Sequence, residues 1–525
     1  MVFRNKLDNY IIWTVILSFI LLSTIFSSSK NLWLDETHST LLASLSFSDL
    51  IIFVKGDVHP PLYFISVWLW SGLFGDSLLS FRMLSVVSHV AASLTFFLTL
   101  LLIVKPRIIR LTFFILFLFS PVLFWYSIEV RMYSLLVLFV TLSIYFMLKI
   151  ISHEKRQVYN SIYLAIFLSL SFYTHYTAVF YIIGLFLFFA YKVIQNKEKY
   201  LKWFIVSALA TLMFTAPWYT TLLEQREVKL GMTEQHLNAS QDIESLGYTE
   251  EIFSRKRNEG KYLIKEIILN LASISGVYPA KNIFVLILAL IPFLILLALF
   301  FKNTRKSDSF VVFSIFVLVT CIFSMTLLGL VSRRYIILLT PIILLLMAKV
   351  LSESYEANTK IVLAISFGLL VSSAVNIYSM VTKHYHKPVY NLVTGIRDSA
   401  GSNKLVIVSA IHGQIPIEYA AKQLNIKLNI TGFPMSIHDW WSSQKFKGWG
   451  SPLIYKDDVL NFYEVNLAKN DIKQFWLVLF ENTQYDKSNF LLSYIKSMSK
   501  SVELVSSYRG QFGKGELYTL YKVNL

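Results

Sequence analysis

Charged residues are scarce in this sequence. They make up 15% of its 525 residues, whereas a soluble domain carries about 25%. Hydrophobic residues account for 55% of the chain, aromatic residues for 16%, and the mean hydropathy is +0.57. These values exclude an ordinary soluble protein and predict a polytopic membrane protein.

Cysteine is nearly absent. The single Cys321 lies within an apolar run, so a disulfide within the chain and a cysteine metal cluster are both excluded. Cysteine usage therefore does not identify the compartment. The sequence also lacks a Gly-rich phosphate loop, an internal repeat and any low-complexity run, and it offers no motif for a nucleotide.

Basic residues outnumber acidic ones, and the formal net charge is +16. Many of these cations stand in short clusters between apolar runs, which is typical of topology signals rather than of a nucleic-acid surface. Nucleic acid is therefore not an expected partner. Arg4 and Lys6 precede the first apolar run and predict a cytoplasmic N-terminus. No A-x-A-like cleavage site follows, so this run is predicted to stay as the first span.

The apolar runs predict about eleven transmembrane helices, with the C-terminal tail outside. Two outer loops are predicted, one over residues 28–77 and a larger one over residues 220–282. The basic clusters bracket the spans in pairs, as the positive-inside rule requires. The predicted spans cover residues 10–26, 78–104, 111–127, 133–150, 159–173, 178–193, 204–218, 283–301, 310–330, 335–351 and 362–380.

One apolar stretch, His59–Phe74, is treated differently. A helix that crosses the bilayer needs about 20 residues, and this stretch is shorter. Counting it as a span would also move a later basic cluster to the outside. We therefore predict a juxtamembrane helix that lies along the outer surface.

The composition changes near residue 383 to that of a soluble domain. KLVIVSA and FWLVLF read as buried strands, and VELVSSYR and GELYTLYKV as closing strands. GQIPIEYAAKQL and SNFLLSYIKSM have helical spacing. The sequence thus predicts a transmembrane domain over residues 1–382 and a small α/β domain on the outer face over residues 383–525.

Carboxylates and imidazoles are concentrated where the chain first leaves the membrane. Asp35 and Glu36 are adjacent, His38 follows, and Asp57-Val58-His59 precedes two prolines that stiffen the backbone. Polar residues are ordinary in a loop between spans, and that simpler interpretation stays open. Ionisable groups at the membrane are nevertheless costly, which favours a functional site.

Motifs along residues 1 to 380 resemble those of the GT-C superfamily of polyprenyl-phosphate-sugar-dependent glycosyltransferases. The branch is that of the protein O-mannosyltransferases and of the aminoarabinose transferases that modify lipid A. Where this family usually reads YSQEAR, the chain reads YSIEVR, which keeps Glu129 and Arg131. The motifs are LDE from Leu34, DVHPPLY from Asp57, Phe81-Arg82, YSIEVRMYSL from Tyr126, His175-Tyr176-Thr177 and RRYIILLTP from Arg333.

The chemistry of sugar transfer needs a carboxylate that takes the acceptor proton and cations that stabilise the departing phosphate. The resemblance implies that Asp35 is the base, that Glu36 orients the site or the substrate, and that Glu129 is the second acid. His59 is a competing candidate for the base, and His38 a weaker one. The implied substrate-binding residues are His59, Arg82, Arg131, Tyr133, His175, Arg333, Arg334 and Tyr335.

The resemblance further implies an inverting transfer from a polyprenyl-phosphate-sugar donor. The topology from the basic clusters predicts that this site faces the extracytoplasmic side of a plasma membrane, while an archaeal membrane or the endoplasmic reticulum stays open. The sugar and the isoprenoid stay open, and the acceptor could be a protein, a glycolipid or a wall polymer. The acids could hold a divalent cation, although no cofactor is required by the resemblance. Two other classes also stay open, a lipid-linked polysaccharide polymerase or flippase and a membrane transporter.

Overall fold

The computed structural model describes residues 6–29, 34–152, 155–227, 299, 308–328, 333–384, 388–400, 405–409, 413–433, 436, 467, 472–480, 490–509 and 517–525. This part of the chain divides into two compact units. The first unit comprises the described residues within Met1–Ser28, His59–Leu222 and Arg255–Thr382. The second unit comprises those within Ser29–Val58, Leu223–Ser254 and Lys383–Leu525.

The described residues are mostly helical. In chain order the α-helices are α1 (Lys6–Ser29), α2 (Leu34–Leu42), α3 (Phe47–Lys55), α4 (Leu62–Phe74), α5 (Leu78–Ile103), α6 (Arg107–Leu118), α7 (Pro121–Ser127), α8 (Tyr133–Ile151), α9 (Gln157–Thr174), α10 (Ala178–Gln195), α11 (Lys197–Thr215), α12 (Ser309–Leu327), α13 (Arg333–Ile336), α14 (Thr340–Ser354), α15 (Thr359–His384), α16 (Pro388–Ala400), α17 (Gln414–Gln423) and α18 (Phe490–Met498).

Eight helices among the described residues are long and apolar enough to cross a membrane, or nine if one bent pair counts as a span. The predicted multi-pass helical fold is therefore confirmed. The bent pair is α6 and α7, and the chain direction changes by 47° between them. The eight are Lys6–Ser28, Leu78–Ile103, Tyr133–Ile151, Ala178–Gln195, Lys197–Glu227, Ser309–Leu327, Arg334–Ser354 and Thr359–Tyr378.

Besides the bent pair, three predicted apolar segments are not among the eight helices. The stretch over residues 159–173 forms helix α9, but it is not among the eight because polar side chains such as Gln157 and Asn160 dilute its apolar character. Helix α4 has 13 residues, a length of about 20 Å against a hydrocarbon core of about 30 Å. Its predicted position along the outer surface stays a prediction.

The predicted span over residues 283–301 lies outside the described residues except for Leu299.

Local sequence explains where several helices begin. The Ser77 hydroxyl accepts the Ser80 backbone N–H at 3.2 Å and starts α5. The Asp308 carboxylate accepts the Phe310 N–H at 2.8 Å and starts α12. Such caps satisfy amide groups that the first helical turn leaves without partners. Pro121 lacks an N–H and cannot continue α6, so the chain bends there into α7.

Close helix packing positions the site in the first unit. Helix α5 packs against α6 and α8, α8 against α9, α9 against α11, and α10 against α12. Gly184 lets α10 approach α12 closely, because a Cβ at this position would lie 2.9 Å from the Cα of Val317. Hydroxyl groups add bonds between spans, as between Ser143 and Tyr181 at 2.7 Å. Small residues and hydroxyls are common at such helix interfaces.

The second unit contains a mixed five-stranded sheet with the order β2-β1-β3-β5-β4. Strand β1 pairs in parallel with β2 and β3, and β5 pairs antiparallel with β3 and β4. The predicted small α/β domain is thus confirmed, including all four predicted strands. The strands are β1 (Leu405–Ser409), β2 (Asn429–Phe433), β3 (Gln474–Phe480), β4 (Ser501–Arg509) and β5 (Leu517–Asn524).

Both faces of this sheet are buried, because alternate residues of its strands pack into two different hydrophobic cores. Val406 and Val408 pack with helices α16 and α17 in one core, while Ile407 between them packs with α18 in the other. This follows from the two-residue period of a strand, whose side chains point to opposite faces in turn. Helices α16 and α17 therefore cover one face and α18 the other. Helix α2, from the loop predicted over residues 28–77, contacts α17 within this unit.

Candidate active site

The predicted acid pair lies at the start of helix α2, in the second unit. Asp35 is half-buried, whereas Glu36 is fully buried. Successive residues of a helix point about 100° apart, so the two carboxylates face different surroundings. The Ser39 hydroxyl donates to the Asp35 backbone carbonyl at 3.2 Å. The structure therefore gives the partly accessible position to Asp35 and the enclosed one to Glu36.

A cluster of predicted site residues surrounds His175 in the first unit. The His175 ring lies 6.1 Å from the rings of His59 and Tyr133 and 5.7 Å from the ring of Tyr335. These residues come from four different segments of the chain, and the helix packing brings them together. We call this set, with Arg131 and Arg334, the His175 cluster.

Two arginines extend the His175 cluster. The guanidinium carbon of Arg131 lies 6.0 Å from the centre of the Tyr133 ring, and that of Arg334 lies 5.6 Å from the centre of the Tyr335 ring. Cations at such distances from an aromatic face are attracted to it. Arg131 is 3% exposed, which places its charge away from bulk water. The cluster thus combines cationic side chains with aromatic surfaces, a combination that suits an anion carried on an apolar molecule.

The hydrogen bonds of His175 determine its tautomer. Its Nδ1 accepts the backbone N–H of Thr177 at 3.2 Å, and the Thr177 hydroxyl lies 2.8 Å from the same atom. Because a backbone N–H can only donate, Nδ1 carries no proton. A neutral His175 therefore holds its proton on Nε2 and presents a hydrogen-bond donor there.

Burial lowers the pKa of His175 well below its usual value, and the neighbouring His59, Arg131 and Arg334 lower it further. His175 lies between α9 and α10, outside the spans. The ring is consequently neutral in the folded protein at physiological pH, in agreement with its hydrogen bonds. His175 can therefore donate a hydrogen bond but does not act as a cation.

Glu129 and Arg131 lie in the short segment between α7 and α8, not in a helix. Both are buried, with 0% and 3% exposure. The Ser85 hydroxyl of α5 donates to the Glu129 backbone carbonyl, which fixes the segment to α5. Sequence reasoning did not identify Ser85, because serine is ordinary in a span and nothing in its spacing points to Glu129.

Arg82 is fully buried on α5, and its guanidinium donates to the backbone carbonyl of Ser27. Ser27 belongs to the last turn of α1, where carbonyl groups lack partners within the helix. A cation at this end also complements the helix dipole. Arg82 thus fastens α1 to α5, and its predicted contact with substrate stays a prediction.

Arg333 and Arg334 begin helix α13, directly before the predicted span over residues 335–351. The Arg334 side chain lies near His175 and Tyr335 within the His175 cluster. The side chain of Arg333 lies outside what the structure describes. Among the described residues, no group of three or more His, Cys, Asp and Glu side chains is placed to hold a metal ion.

The fold and this site define a multi-pass membrane protein with polar and cationic side chains assembled beside its spans. Residues 58–220 match the family model described as dolichyl-phosphate-mannose-protein mannosyltransferase. This segment contains His59, Arg82, the YSIEVR motif and His175. The resemblance drawn from the motifs is therefore confirmed. None of the curated proteins matches the chain.

The described part of the chain has a GT-C type of fold. It is similar to the crystal structure of ArnT from Cupriavidus metallidurans bound to undecaprenyl phosphate, with a TM-score of 0.55, 11% identity and 97% of each chain covered. The apo structure of the same ArnT gives a TM-score of 0.53 and 12% identity, again over 97% of each chain. The similarity therefore includes the α/β part of the chain as well as its helices, and together with the family match it indicates a glycosyltransferase.

Proposed function

We propose that this protein is an integral membrane glycosyltransferase that moves a sugar from a polyprenyl-phosphate donor to an acceptor hydroxyl on the extracytoplasmic face of the plasma membrane. The observation that carries the proposal is the His175 cluster. In this cluster Arg131, Arg334 and His59 lie around the neutral imidazole of His175, whose Nε2–H can donate a hydrogen bond. ArnT, which has a similar fold, is bound to undecaprenyl phosphate in its crystal structure.

In this proposal the His175 cluster binds the phosphate of the donor. Arg131 and Arg334 donate charge-assisted hydrogen bonds, and Nε2–H of His175 adds a neutral one. These groups stabilise the charge that grows on the phosphate as the bond from the sugar to oxygen breaks. Tyr133 and Tyr335 provide the flat surfaces beside the sugar or the first isoprene units. Arg333, the neighbour of Arg334, is proposed as a further phosphate contact.

Asp35 is the proposed base. As the acceptor oxygen attacks the anomeric carbon, its proton moves to the Asp35 carboxylate, and the phosphate leaves from the opposite side with inversion. General-base catalysis contributes about 10²–10⁴-fold to rates. The half-buried position of Asp35 allows an acceptor to reach it. Glu36 is proposed to orient the site, and Glu129 to act as the second acid.

The test begins with the lipid that the protein carries. Mass spectrometry of co-purifying lipids, followed by incubation with the polyprenyl-phosphate sugar so identified, should show transfer by the wild type. Asp35→Asn should retain donor binding and lose transfer by about 10²-fold or more, as expected for loss of a general base. An active Asp35→Asn with an inactive His59→Ala would move the base role to His59. Full activity in both variants would contradict the proposed catalytic role of this loop.

A further inference from the structure

Two buried groups outside the proposed machinery are joined directly. Nε2 of His38 lies 3.2 Å from Oδ2 of Asp57. His38 is 4% exposed and Asp57 1%. Both belong to the second unit. We call them the His38–Asp57 pair.

Asp57 is itself held by the backbone. Its other carboxylate oxygen, Oδ1, accepts the N–H of Val58 at 2.6 Å, and its own N–H donates to the Val54 carbonyl at 3.2 Å. That carbonyl also accepts the side-chain amide of Gln225 at 2.6 Å. The Asp57 carboxylate is therefore in a fixed place at the end of α3. His38 is aligned from a second side, since its ring lies 5.6 Å from the Phe53 ring.

Helix α2 needs such an attachment. It has nine residues, and a helix shorter than about 12 residues is marginal without tertiary contacts. His38 follows Asp35 by three positions, so the two side chains lie on neighbouring parts of the same helix face. A bond that fixes His38 consequently also fixes the direction in which Asp35 points.

We propose that the His38–Asp57 pair positions Asp35 by holding helix α2 in register with the end of α3. The proposal rests on the proposed function, in which Asp35 is the base. In this role His38 acts as a hydrogen-bond donor to Asp57 and does not exchange protons with the substrate. Asp57 and His38 are thus positioning residues, and the reacting atoms are left to Asp35.

The substitution His38→Gln separates positioning from acid–base chemistry. The amide of glutamine can donate to Asp57 but does not titrate, whereas His38→Leu removes the bond. We expect His38→Gln to keep kcat within about threefold of wild type. His38→Leu and Asp57→Ala should lower kcat at least tenfold while the KM for the donor and the affinity for undecaprenyl phosphate stay within twofold. The control is Asp49→Ala on α3, an exposed acid that should leave kcat unchanged.

Hydrogen–deuterium exchange over residues 34–42 provides a readout that does not need turnover. Exchange should rise in His38→Leu and Asp57→Ala and remain at the wild-type level in His38→Gln and Asp49→Ala. If the wild type transfers no sugar, the proposed function fails, while exchange still reports whether the pair holds α2. The positioning proposal is overturned if His38→Gln is as slow as His38→Leu, or if both His38→Leu and Asp57→Ala keep wild-type kcat and exchange.

Discussion

The hydroxyl of Ser85 donates a hydrogen bond to the backbone carbonyl of Glu129. This bond joins helix α5 of the first unit to the segment that carries the proposed second acid. It acts on the Glu129 backbone carbonyl and not on the carboxylate. The position of Glu129 therefore depends on a residue of α5.

Ser85→Ala should lower kcat without loss of the fold. A neutral hydrogen bond contributes ~0.5–1.5 kcal/mol. If displacement of Glu129 raises the free energy of the transition state by this amount, kcat should fall by up to about tenfold. Ser88→Ala is the matched control, since Ser88 lies one turn away and donates only within its own helix, to the Leu84 carbonyl at 2.8 Å. Equal rates in the two variants would mean that the Ser85 bond does not affect catalysis.

Arg82→Met should destabilise the protein. The substitution keeps much of the side-chain volume but removes the charge-assisted bond to Ser27, worth ~1.5–3 kcal/mol. Arg107→Met provides the comparison, because the Arg107–Asp8 ion pair is partly exposed and such pairs contribute about 0–1 kcal/mol. Thermal unfolding in detergent should give a clearly lower Tm for Arg82→Met than for Arg107→Met. A reversed order would contradict the role of Arg82 in fastening α1.

Stability should fall in mild acid because of His175. Its pKa is lowered in the folded protein by burial and then by neighbouring cations, while the unfolded chain has a pKa near ~6.5. Below that value the unfolded state binds a proton that the folded state does not, so folding becomes less favourable as the pH drops. The Tm should decrease between pH 7.5 and pH 5, and His175→Gln should reduce that decrease. An unchanged pH dependence in His175→Gln would assign the effect to other groups.

Arg334→Gln and Arg131→Gln should weaken binding of undecaprenyl phosphate. Each loses a charge-assisted hydrogen bond of ~1.5–3 kcal/mol, so the Kd should rise roughly tenfold or more in each case. Arg397→Gln is a suitable control, since Arg397 is exposed and pairs with the adjacent Asp398 at 2.7 Å. Tryptophan fluorescence or calorimetry with purified lipid would measure the three affinities. Equal Kd values in all three variants would exclude the His175 cluster as the phosphate site.

Much of the fold could be predicted because hydropathy is a local property. The spans at residues 78–104 and 133–150 were predicted within one residue of the observed helix ends, since only a long apolar helix satisfies its backbone in lipid. The four predicted strands of the α/β domain are also present. The sequence reading did not identify β2, whose mixed composition gives a weak alternating signal. It also missed helix α16, although Val389, Leu392, Val393 and Ile396 have helical spacing and form its buried face.

The candidate site was predicted less completely. The motifs named His59, Tyr133, His175 and Tyr335, and the structure brings these side chains together. The same reasoning gave no role to Asp57 or Ser85, because the bonds of Asp57 with His38 and of Ser85 with Glu129 join residues that are far apart in the sequence. It did not anticipate the bond of Arg82 to the end of α1, and the predicted contact of Arg82 with the substrate stays a prediction.

The sequence by itself determined that the chain is a polytopic membrane protein with an α/β domain. The length of an apolar run and the alternation within a strand depend only on residues that are neighbours in the sequence. The sequence also supplied the types of side chain that a sugar transfer from a lipid phosphate needs. Only the tertiary structure decided which of them meet. Contacts such as those of His38 with Asp57 and of His59 with His175 depend on how helices pack, and packing is a joint property of many side chains that no single motif contains.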